Sequence, residues 1–503
     1  MSARLHPGVY VEEVPGGARA IEGAGTSTTI LVGDTERGPV APTKIKGIAD
    51  FERVYGGYLR HDGTGESPVL LRYAMDGFFG NGGTTAYILR AHRTTDNMVV
   101  GTRVDGSNLV TLEASSPGAW STRVEVRFLA GPTPERFHIE VSYRAPGTAS
   151  ATLVETWNRL SLDPEDENYA PDVLRRSLYV RWRAGSVVPQ AEANPVGMTG
   201  GTGDATKMVA SDFTSGVFDR LDEVTDASLL VCPAYPGSAV SQQQAALSYA
   251  EARPRRDLFC IADMPDQGGT PSVTQATVDT VSAFGSLSPK TDMGAVYFPW
   301  VEVPDPIGSG RDPVMMVPPS AYIAGLYARI DQRRGVWKAP AGLEASLLGV
   351  NRIAYKLLDT HQDELNPLGI NALRPMPQGG NVVWGARTMV PSGQWRYIPV
   401  RRMAIFLRTS IYNGIQWAVF EPNGRELWAN LRLTIEGFMD QLFRQGAFAG
   451  ATSREAYFVK CDEETTPEVD QVAGIVNVWV GFAPLRPAEF VVVKLSQIVK
   501  QQG

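Results

Sequence analysis

The order of apolar and amphipathic segments between residues 217 and 300 is the feature that most constrains the fold. Short apolar runs rich in branched side chains alternate there with segments of helical pattern. A buried strand that recurs after each helix is typical of βαβ units, in which helices pack against a sheet. The pattern predicts strands at Ala227–Cys232, Leu258–Ala262 and Gly294–Phe298, with helices near 241–252 and 273–285.

The first hundred residues indicate a second α/β layer. The chain starts with an extended segment interrupted by Gly and Pro. After it, the pattern predicts a buried strand at Thr28–Gly33 and a short helix that begins near Asp50. A further helix over Val69–Phe79 ends at a Gly-rich turn and leads into the strand Ala86–Arg90. Strand, helix, helix and strand in this order fit the same class of architecture as residues 217–300.

Residues 97–198 have a different character. Segments such as Arg123–Phe128 and His138–Tyr143 alternate polar and apolar residues, and turn residues separate them at short intervals. This period of two is typical of strands with one buried face, so the region is predicted to be a β-rich insert. We therefore predict a multidomain α/β fold of mixed α+β character.

The last third of the chain predicts two helices. Val400, Met403, Ala404, Leu407 and Ile411 recur at helical spacing in the first. The second opens at Asn423, which with Glu426 three residues later resembles a capping box, and it ends near Gly446. Its apolar stripe is wide enough to be core rather than a ligand site. The members of this stripe are Leu427, Trp428, Leu431, Ile435, Phe438, Met439 and Leu442.

Three strands are predicted after these helices, at Ala456–Cys461, Ile475–Gly481 and Phe490–Leu495. The last of them has apolar residues on one face, although terminal segments are usually poorly ordered. Such a strand needs a sheet to join. From the residues alone, its own domain and a neighbouring molecule are equally good sources of that sheet.

Composition excludes several functional classes. The 503 residues are 43% hydrophobic and 20% charged, with a net charge of −7 distributed along the chain. This charge pattern lacks the concentration of basic residues that binds nucleic acid or anionic lipid. Three widely separated cysteines indicate a reducing compartment rather than a disulfide framework. No apolar run approaches the roughly 20 residues that span a bilayer, and the start lacks a signal-peptide pattern, so we expect a chain that is soluble when made.

A search for catalytic motifs assigns no catalytic, cofactor-binding or metal-binding residue. The sequence lacks a Gly-x-Ser-x-Gly nucleophile turn, its five histidines are scattered singly, and no cysteine pair has zinc spacing. The prediction is therefore a non-enzyme without cofactors. Two carboxylates could still be brought together by the fold, so an α/β hydrolytic enzyme with an unrecognised site stays open as the alternative.

Several segments resemble the tail sheath proteins of contractile phages and related bacterial injection systems. They occur in the family's order along nearly the whole chain, and the likeness is weakest in residues 97–198, where only Pro117–Trp120 matches. The matching segments are Pro7–Glu13, Thr29–Gly33, Gly38–Pro39, Phe78–Gly83, Ala86–Tyr87, Arg334–Gly342, Leu365–Asn371, Val383–Thr388, Phe420–Asn423, Leu427–Trp428, Gly446–Gly450, Cys461–Asp462 and Ala483–Phe490.

The resemblance implies a division of the chain and a manner of assembly. It implies an N-terminal linker arm (1–22), an α/β sheath domain (23–96 and 199–345), an inserted β-rich outer domain (97–198), a C-terminal inner sheath domain (346–486) and a C-terminal linker strand (487–503). Subunits of the family stack as hexameric rings around an inner tube. Their terminal arms pair with strands of neighbouring subunits, which implies that role here for Val9, Tyr10, Val11, Val14, Phe490, Val491, Val492, Val493 and Leu495.

The resemblance also implies partners and a location. The expected partners are other copies of the chain, the inner tube protein, and baseplate and terminal cap proteins, with no nucleic acid and no direct insertion into a membrane. Assembly is expected in the bacterial cytoplasm, as part of a phage tail or a phage-like particle, whether or not it is later released. Arg425, Arg432 and Arg444 are candidate contacts to the inner tube, and a solvated helix face is an equally good interpretation of them. A tube or baseplate protein would share this setting, but tube subunits are much smaller.

Overall fold

The fold is described from a computed structural model. It describes residues 20–60, 69–91, 100–106, 109–202, 212–213, 215–235, 239–266 and 272–490. The chain forms two compact units: a larger one over 25–401, and a smaller one that combines 1–24 with 402–503. Each unit is described separately below.

The larger unit is built on an eight-stranded sheet with the strand order β18-β17-β13-β12-β11-β1-β3-β2. The six central strands run parallel, and β2 and β18 pair antiparallel at the two edges. The strands are β1 (Thr29–Gly33), β2 (Thr43–Ile45), β3 (Ala86–Arg90), β11 (Leu229–Val231), β12 (Phe259–Asp263), β13 (Gly294–Phe298), β17 (Ile370–Met376) and β18 (Gly380–Val383).

Helices connect and cover these strands. Every residue of β1, β11, β12 and β13 is buried, which explains why nearly all of their residues are apolar. The predicted βαβ order is confirmed over 217–300, and the strand, two helices and strand predicted before residue 97 are present, with β2 as an additional strand after β1. The helices are α1 (Ile48–Tyr55), α2 (Leu70–Gly80), α4 (Ser215–Phe218), α5 (Ala239–Ala252), α6 (Val273–Ser286), α7 (Ser320–Arg334) and α8 (Asp359–Leu365).

Residues between 100 and 202 form a β-rich part of the larger unit. It contains a four-stranded sheet, β10-β6-β7-β8, and a three-stranded sheet, β4-β5-β9, around a core of residues from this part alone. Together with the α/β sheet, these sheets confirm the predicted mixed fold. The elements are β4 (Thr102–Val104), β5 (Thr111–Ala114), β6 (Val124–Ala130), β7 (Phe137–Tyr143), β8 (Thr152–Leu160), α3 (Ala170–Val173), β9 (Val180–Ala184) and β10 (Val196–Gly197).

A small antiparallel sheet completes the larger unit, with the strand order β15-β14-β16. Its strands are β14 (Val301–Pro304), β15 (Val314–Val317) and β16 (Arg352–Ile353). The main sheet extends beyond residue 345, where the α/β domain was expected to end, because β17 pairs with β13. The predicted division of the chain into domains otherwise stays a prediction.

The smaller unit consists mainly of helices and one short sheet. Helix α9 (Ile398–Gly414) contains the boundary between the units at residues 401 and 402. The elements that follow are α10 (Arg425–Arg444), α11 (Ser453–Ala456), β19 (Tyr457–Lys460), α12 (Glu468–Val472) and β20 (Trp479–Phe482). Both predicted long helices are present. The predicted strand over Ile475–Gly481 is wrong in its first half, since β20 begins only at Trp479.

A buried carboxylate, that of Asp263, ties three elements of the larger unit together. It accepts hydrogen bonds from the Ser320 amide (2.8 Å), the Ser320 hydroxyl (2.6 Å) and the Ala234 amide (3.2 Å). It thereby connects the end of β12 with the start of α7 and the segment after β11. Burial raises the pKa of Asp263 to about 7, although these three hydrogen bonds act in the opposite direction.

This pKa predicts a specific pH dependence of stability. Because the pKa of Asp263 is higher in the folded state, the folded chain binds more protons than the unfolded chain between about pH 4 and pH 7. We therefore expect Asp263 to contribute a loss of folding free energy on the order of 1–4 kcal/mol as the pH rises through this range. The variant Asp263→Asn lacks this contribution. In urea denaturation, the free energy of unfolding of wild type minus that of the variant should therefore decrease as the pH rises through this range. A difference that stays constant or grows would contradict the raised pKa.

Candidate assembly surface of the smaller unit

Helix α10 organises the smaller unit because one side of it is apolar along its whole length. All seven residues of the predicted stripe, from Leu427 to Leu442, are buried. Near the start of the helix, Leu427, Trp428 and Leu431 form a cluster with Cys461, against which Val476 and Val478 pack. The stripe is therefore core, as the sequence predicts, and Trp428 and Phe438 are structural residues.

The start of α10 differs from the prediction, because Asn423 does not form a capping box. The N-cap is Gly424, and no side chain caps the helix. The Asn423 side chain instead accepts a hydrogen bond from the Trp428 indole (2.9 Å) and donates one to the Ile475 carbonyl (3.1 Å). Asn423 thus ties the start of α10 to the segment that follows α12.

Strands β19 and β20 form a two-stranded antiparallel sheet in which Tyr457 lies opposite Phe482 and Lys460 opposite Trp479. One face of this sheet packs inward. The rings of Tyr457 and Phe482 both lie against the ring of Phe448, with centroid distances of 6.2 and 6.0 Å. The Phe448 ring thus anchors both strands from the same side.

The other face of this sheet carries aromatic side chains in solvent. Phe458 and Trp479 belong to this face and are 57% and 56% exposed. The Phe458 ring lies across the backbone of Gly481, where a Cβ atom would overlap it. A two-stranded sheet with such a face has little stability by itself, since three or more strands are normally required.

In the part of the chain that the structure describes, no third strand pairs with β19 or β20, and the nearest pairing is an isolated bridge between Phe448 and Pro484 just beyond the end of β20. The Ala483 amide donates to the Ala456 carbonyl at 2.8 Å, which fixes the alternation of hydrogen-bonded pairs. The backbone groups of Tyr457 and Val459 therefore point away from β20, and those of Val480 and Phe482 away from β19. Each edge is a template for a further strand.

Exposed apolar side chains are concentrated in the smaller unit. Of the 22 large hydrophobic residues found exposed in the described residues, ten belong to it. They include every exposed aromatic residue of this set: Tyr412, Phe420, Phe458, Trp479 and Phe490. Phe420 is fully exposed at a φ of 71°, a backbone region that bulky residues rarely adopt. Such a surface is typical of a protein–protein interface.

The three arginines predicted to contact an inner tube lie on α10 but do not share one side. Arg425 donates to Glu463 (Nε–Oε1 2.9 Å), and Arg432 donates to the Cys461 carbonyl (3.0 Å). Both line an open cleft of about 390 Å³ with Trp428 and residues 461–464. Arg444 pairs with Asp440 and lies about a third of a turn away from Arg432 around the helix.

The predicted arm residues fall mostly outside the described residues. This applies to Val9, Tyr10, Val11 and Val14 at the start, and to Val491, Val492, Val493 and Leu495 at the end. Phe490 is described and is 76% exposed. The pairing of these residues with another subunit stays a prediction.

The described residues give little support for metal binding, for nucleophilic cysteines or for a membrane-spanning helix. Among them, no group of three or more His, Cys, Asp or Glu side chains is placed to hold a metal ion. Burial raises the pKa of all three cysteine thiols, which makes them poor nucleophiles. No helix in the described ranges is long and apolar enough to cross a membrane.

Comparisons with known proteins identify this architecture. Residues 203–389 match the central domain of phage tail sheath proteins, and residues 391–498 match their C-terminal domain. The tail sheath protein of Burkholderia phage BcepMu is 25% identical over 333 residues, which cover 62% of this chain and 65% of that protein. The tail sheath protein of Vibrio phage KVP40 is 29% identical over 153 residues, which cover 30% of this chain and 22% of that protein.

Solved structures agree over almost the whole chain. The sheath complex of the extracellular contractile injection system PVC, in its contracted state, superposes with a TM-score of 0.61 at 22% identity and covers all of both chains. A chain of the anti-feeding prophage baseplate gives a TM-score of 0.58 at 25% identity, covering 99% of this chain and 100% of that one. The fold is therefore that of contractile sheath proteins. Since the two matched domains together span more than half of its length, the chain belongs to the phage tail sheath family.

The contacts of Asn423 generate a testable prediction. In Asn423→Ala the Trp428 indole and the Ile475 carbonyl both lose a partner, so we expect the free energy of unfolding of the smaller unit to fall by about 1–3 kcal/mol. Hydrogen exchange in α10 and residues 475–478 should rise accordingly. Asn430→Ala is the matched control, because Asn430 is exposed on the same helix and its loss should change stability by less than about 0.5 kcal/mol. Equal effects of the two substitutions would contradict the role given to Asn423.

Proposed function

We propose that this chain is a structural sheath subunit that polymerises as stacked hexameric rings around an inner tube and contracts to drive the tube through a target envelope. Membership of the tail sheath family supports the sheath role. The observation that carries the manner of assembly is the two-stranded sheet β19–β20, whose edges are open in the described residues. A strand from another subunit can extend such a sheet by backbone hydrogen bonds.

The terminal segments of neighbouring copies are the proposed added strands. Residues 9–14 and 490–495 are rich in valine, which suits strands. A contact in which an arm of one copy binds the sheet of the next joins two different surfaces. Such a heterologous contact generates an open helix of subunits when its rotation does not close. Backbone pairing would keep neighbours linked while their bodies move.

The proposed contraction requires no nucleotide. The extended sheath would be a kinetically trapped state, and the free energy released as subunits repack into a wider, shorter helix would drive the inner tube. Each subunit needs to contribute only a few kcal/mol, since many act together. Inner tube, baseplate and cap proteins are the partners that this function requires, and a phage tail or injection particle is its place.

The strand-addition proposal predicts a selective effect of proline. Val480→Pro removes an amide that points away from β19, so the two-stranded sheet keeps its own hydrogen bonds while the outer edge of β20 loses a donor. We expect negative-stain electron microscopy to show striated, hollow cylinders for the wild type, expressed alone or with its inner tube protein, and few or none for Val480→Pro.

Matched variants separate strand addition from other effects. Val480→Ala shortens the same side chain but keeps the amide, so it should still form cylinders. Deletion of residues 1–20 or 488–503 should abolish them, because each deletion removes a proposed strand. Wild-type protein that stays monomeric, or forms small closed rings in both conditions, would refute self-assembly as its main activity. If Val480→Pro formed as many cylinders as wild type, strand addition at the outer edge of β20 would be refuted, but self-assembly would not.

The inner-tube contact is a separate proposal for Arg425, Arg432 and Arg444. If these side chains bind the tube, Arg→Glu substitution at all three positions should lower assembly on preformed tubes by at least tenfold, while tube-free assembly continues. Arg454→Glu is the control, since Arg454 is an exposed arginine elsewhere in the smaller unit. Co-sedimentation with tubes measures the effect. Unchanged co-sedimentation of the triple variant would favour the alternative that these arginines form a solvated helix face.

A further inference from the structure

The sheet of the larger unit meets its β-rich part through charged and aromatic groups. Among the described residues, the apolar core of the β-rich part is made of residues between 110 and 198, and no apolar core shared with the sheet is found there. Glu36 and Arg37, which come shortly after β1, lie at the junction and are only 6% and 5% exposed. Charged residues are rarely this buried unless they are paired.

Arg37 contacts both sides of the junction. On the sheet side, its guanidinium donates to the carbonyls of Glu52 (3.1 Å), Arg53 (2.9 Å) and Val54 (3.2 Å), the last turn of α1. A cation at this end of a helix is favourable because the free carbonyls carry partial negative charge. On the other side, the same group lies over the rings of Tyr143 and Tyr179, 5.3 and 4.8 Å from their centroids.

Glu36 makes the complementary contact. Its carboxylate accepts a hydrogen bond from the hydroxyl of Tyr143, a residue of β7, and another from the Gly57 amide (2.8 Å) on the sheet side. Arg123 of the β-rich part approaches it to 4.0 Å. Burial and the nearby Glu36 raise the pKa of Tyr143, so its hydroxyl stays protonated and remains a donor. Gly56 makes room for this carboxylate, since a Cβ atom there would overlap it.

We propose that Glu36 and Arg37 form a latch that sets the orientation of the β-rich part against the sheet, and that opening it frees this orientation while both cores stay folded. Hydrogen bonds and cation–π contacts depend on direction, so they select one orientation. Breaking them exposes no apolar core, because in the described ranges the core of the β-rich part stays on its own side of the junction. The inference concerns a single chain and does not depend on the proposed function.

Distances between spin labels test the latch. The labels are placed at Val278→Cys in α6 and Leu153→Cys in β8, whose native side chains are exposed. The three native cysteines are buried, which favours labelling at the introduced positions. The latch variant combines Glu36→Gln, Arg37→Gln and Tyr143→Phe, which removes both members of the latch, and it is measured in full-length chain diluted with unlabelled protein. We expect the width of the 278–153 distance distribution to at least double relative to wild type, with hydrogen exchange in β6, β7, β12 and β13 unchanged.

The control removes the same chemistry from inside the α/β core. Asp34→Asn with Tyr235→Phe deletes another hydrogen bond from a buried tyrosine hydroxyl to a carboxylate, two residues before Glu36. It should leave the 278–153 width unchanged. A second label pair, at Val278 and Val314, should stay narrow in every variant.

Three outcomes would overturn the latch. They are an unchanged width in the latch variant, an equal broadening in the control, and a loss of exchange protection in either core along with the broadening. If the latch variant does not fold, Arg37→Gln alone decides, since it removes the cation that contacts both sides of the junction. A normal width for that folded single variant would then refute the proposal.

Discussion

The hydrogen bonds to the Asp263 carboxylate hold the framework on which the larger unit depends. They fix the first residue of α7 to the end of β12 and to the segment after β11. From that anchored start, α7 runs closely past α2. A Cβ atom on Gly77 would overlap the Tyr322 ring, and one on Gly325 would overlap the Phe78 carbonyl. A shift of the α7 start would therefore be felt along the whole contact, since close-packed interiors transmit small displacements.

The two units use their apolar residues differently. In the larger unit β1, β11, β12 and β13 are buried at every residue, and polar groups such as Asp263 and Glu36 are satisfied at or just after strand ends. In the smaller unit α10 has a conventional core on one side, while the sheet beside it exposes aromatic rings and backbone edges. Exposed apolar area and unpaired strand edges are both unfavourable in a free monomer, so their presence in one unit is best explained by binding partners.

The sequence predicted the elements whose pattern reflects burial alone. Strands β1, β12 and β13 are apolar because both of their faces are covered, and the stripe of α10 follows one buried side. The predictions failed where a tertiary contact competes with a local signal. Val476 and Val478 have the composition of a strand, but they pack on the start of α10, and Asn477 bonds to Thr466 instead of a ladder partner.

Similar competition explains the other gaps. Asn423 has the right spacing to Glu426 for a capping box, yet its side chain is engaged by Trp428 and Ile475. No local pattern could show that Trp479 belongs to an exposed face, because that depends on which side of the β19–β20 pair packs on Phe448. Nor could it show the Glu36–Tyr143 contact, which joins residues 107 positions apart. From the sequence alone, the polar residues that follow β1 would be placed in a surface turn. In the structure they are buried under the β-rich part.

The latch and the open sheet edges suit a polymer whose subunits must stay linked while their arrangement changes. Backbone pairing at an edge depends little on side chains, so a strand can keep its partner while the attached body rotates. Rotation of whole bodies transmits force only if each body is itself stiff. The directional contacts of Glu36 and Arg37 give that stiffness between the α/β core and the core of the β-rich part, and they do not require an apolar core shared by the two. The proposed sheath therefore needs strong, simple contacts between subunits and directional ones within them, and the chain provides a candidate for each.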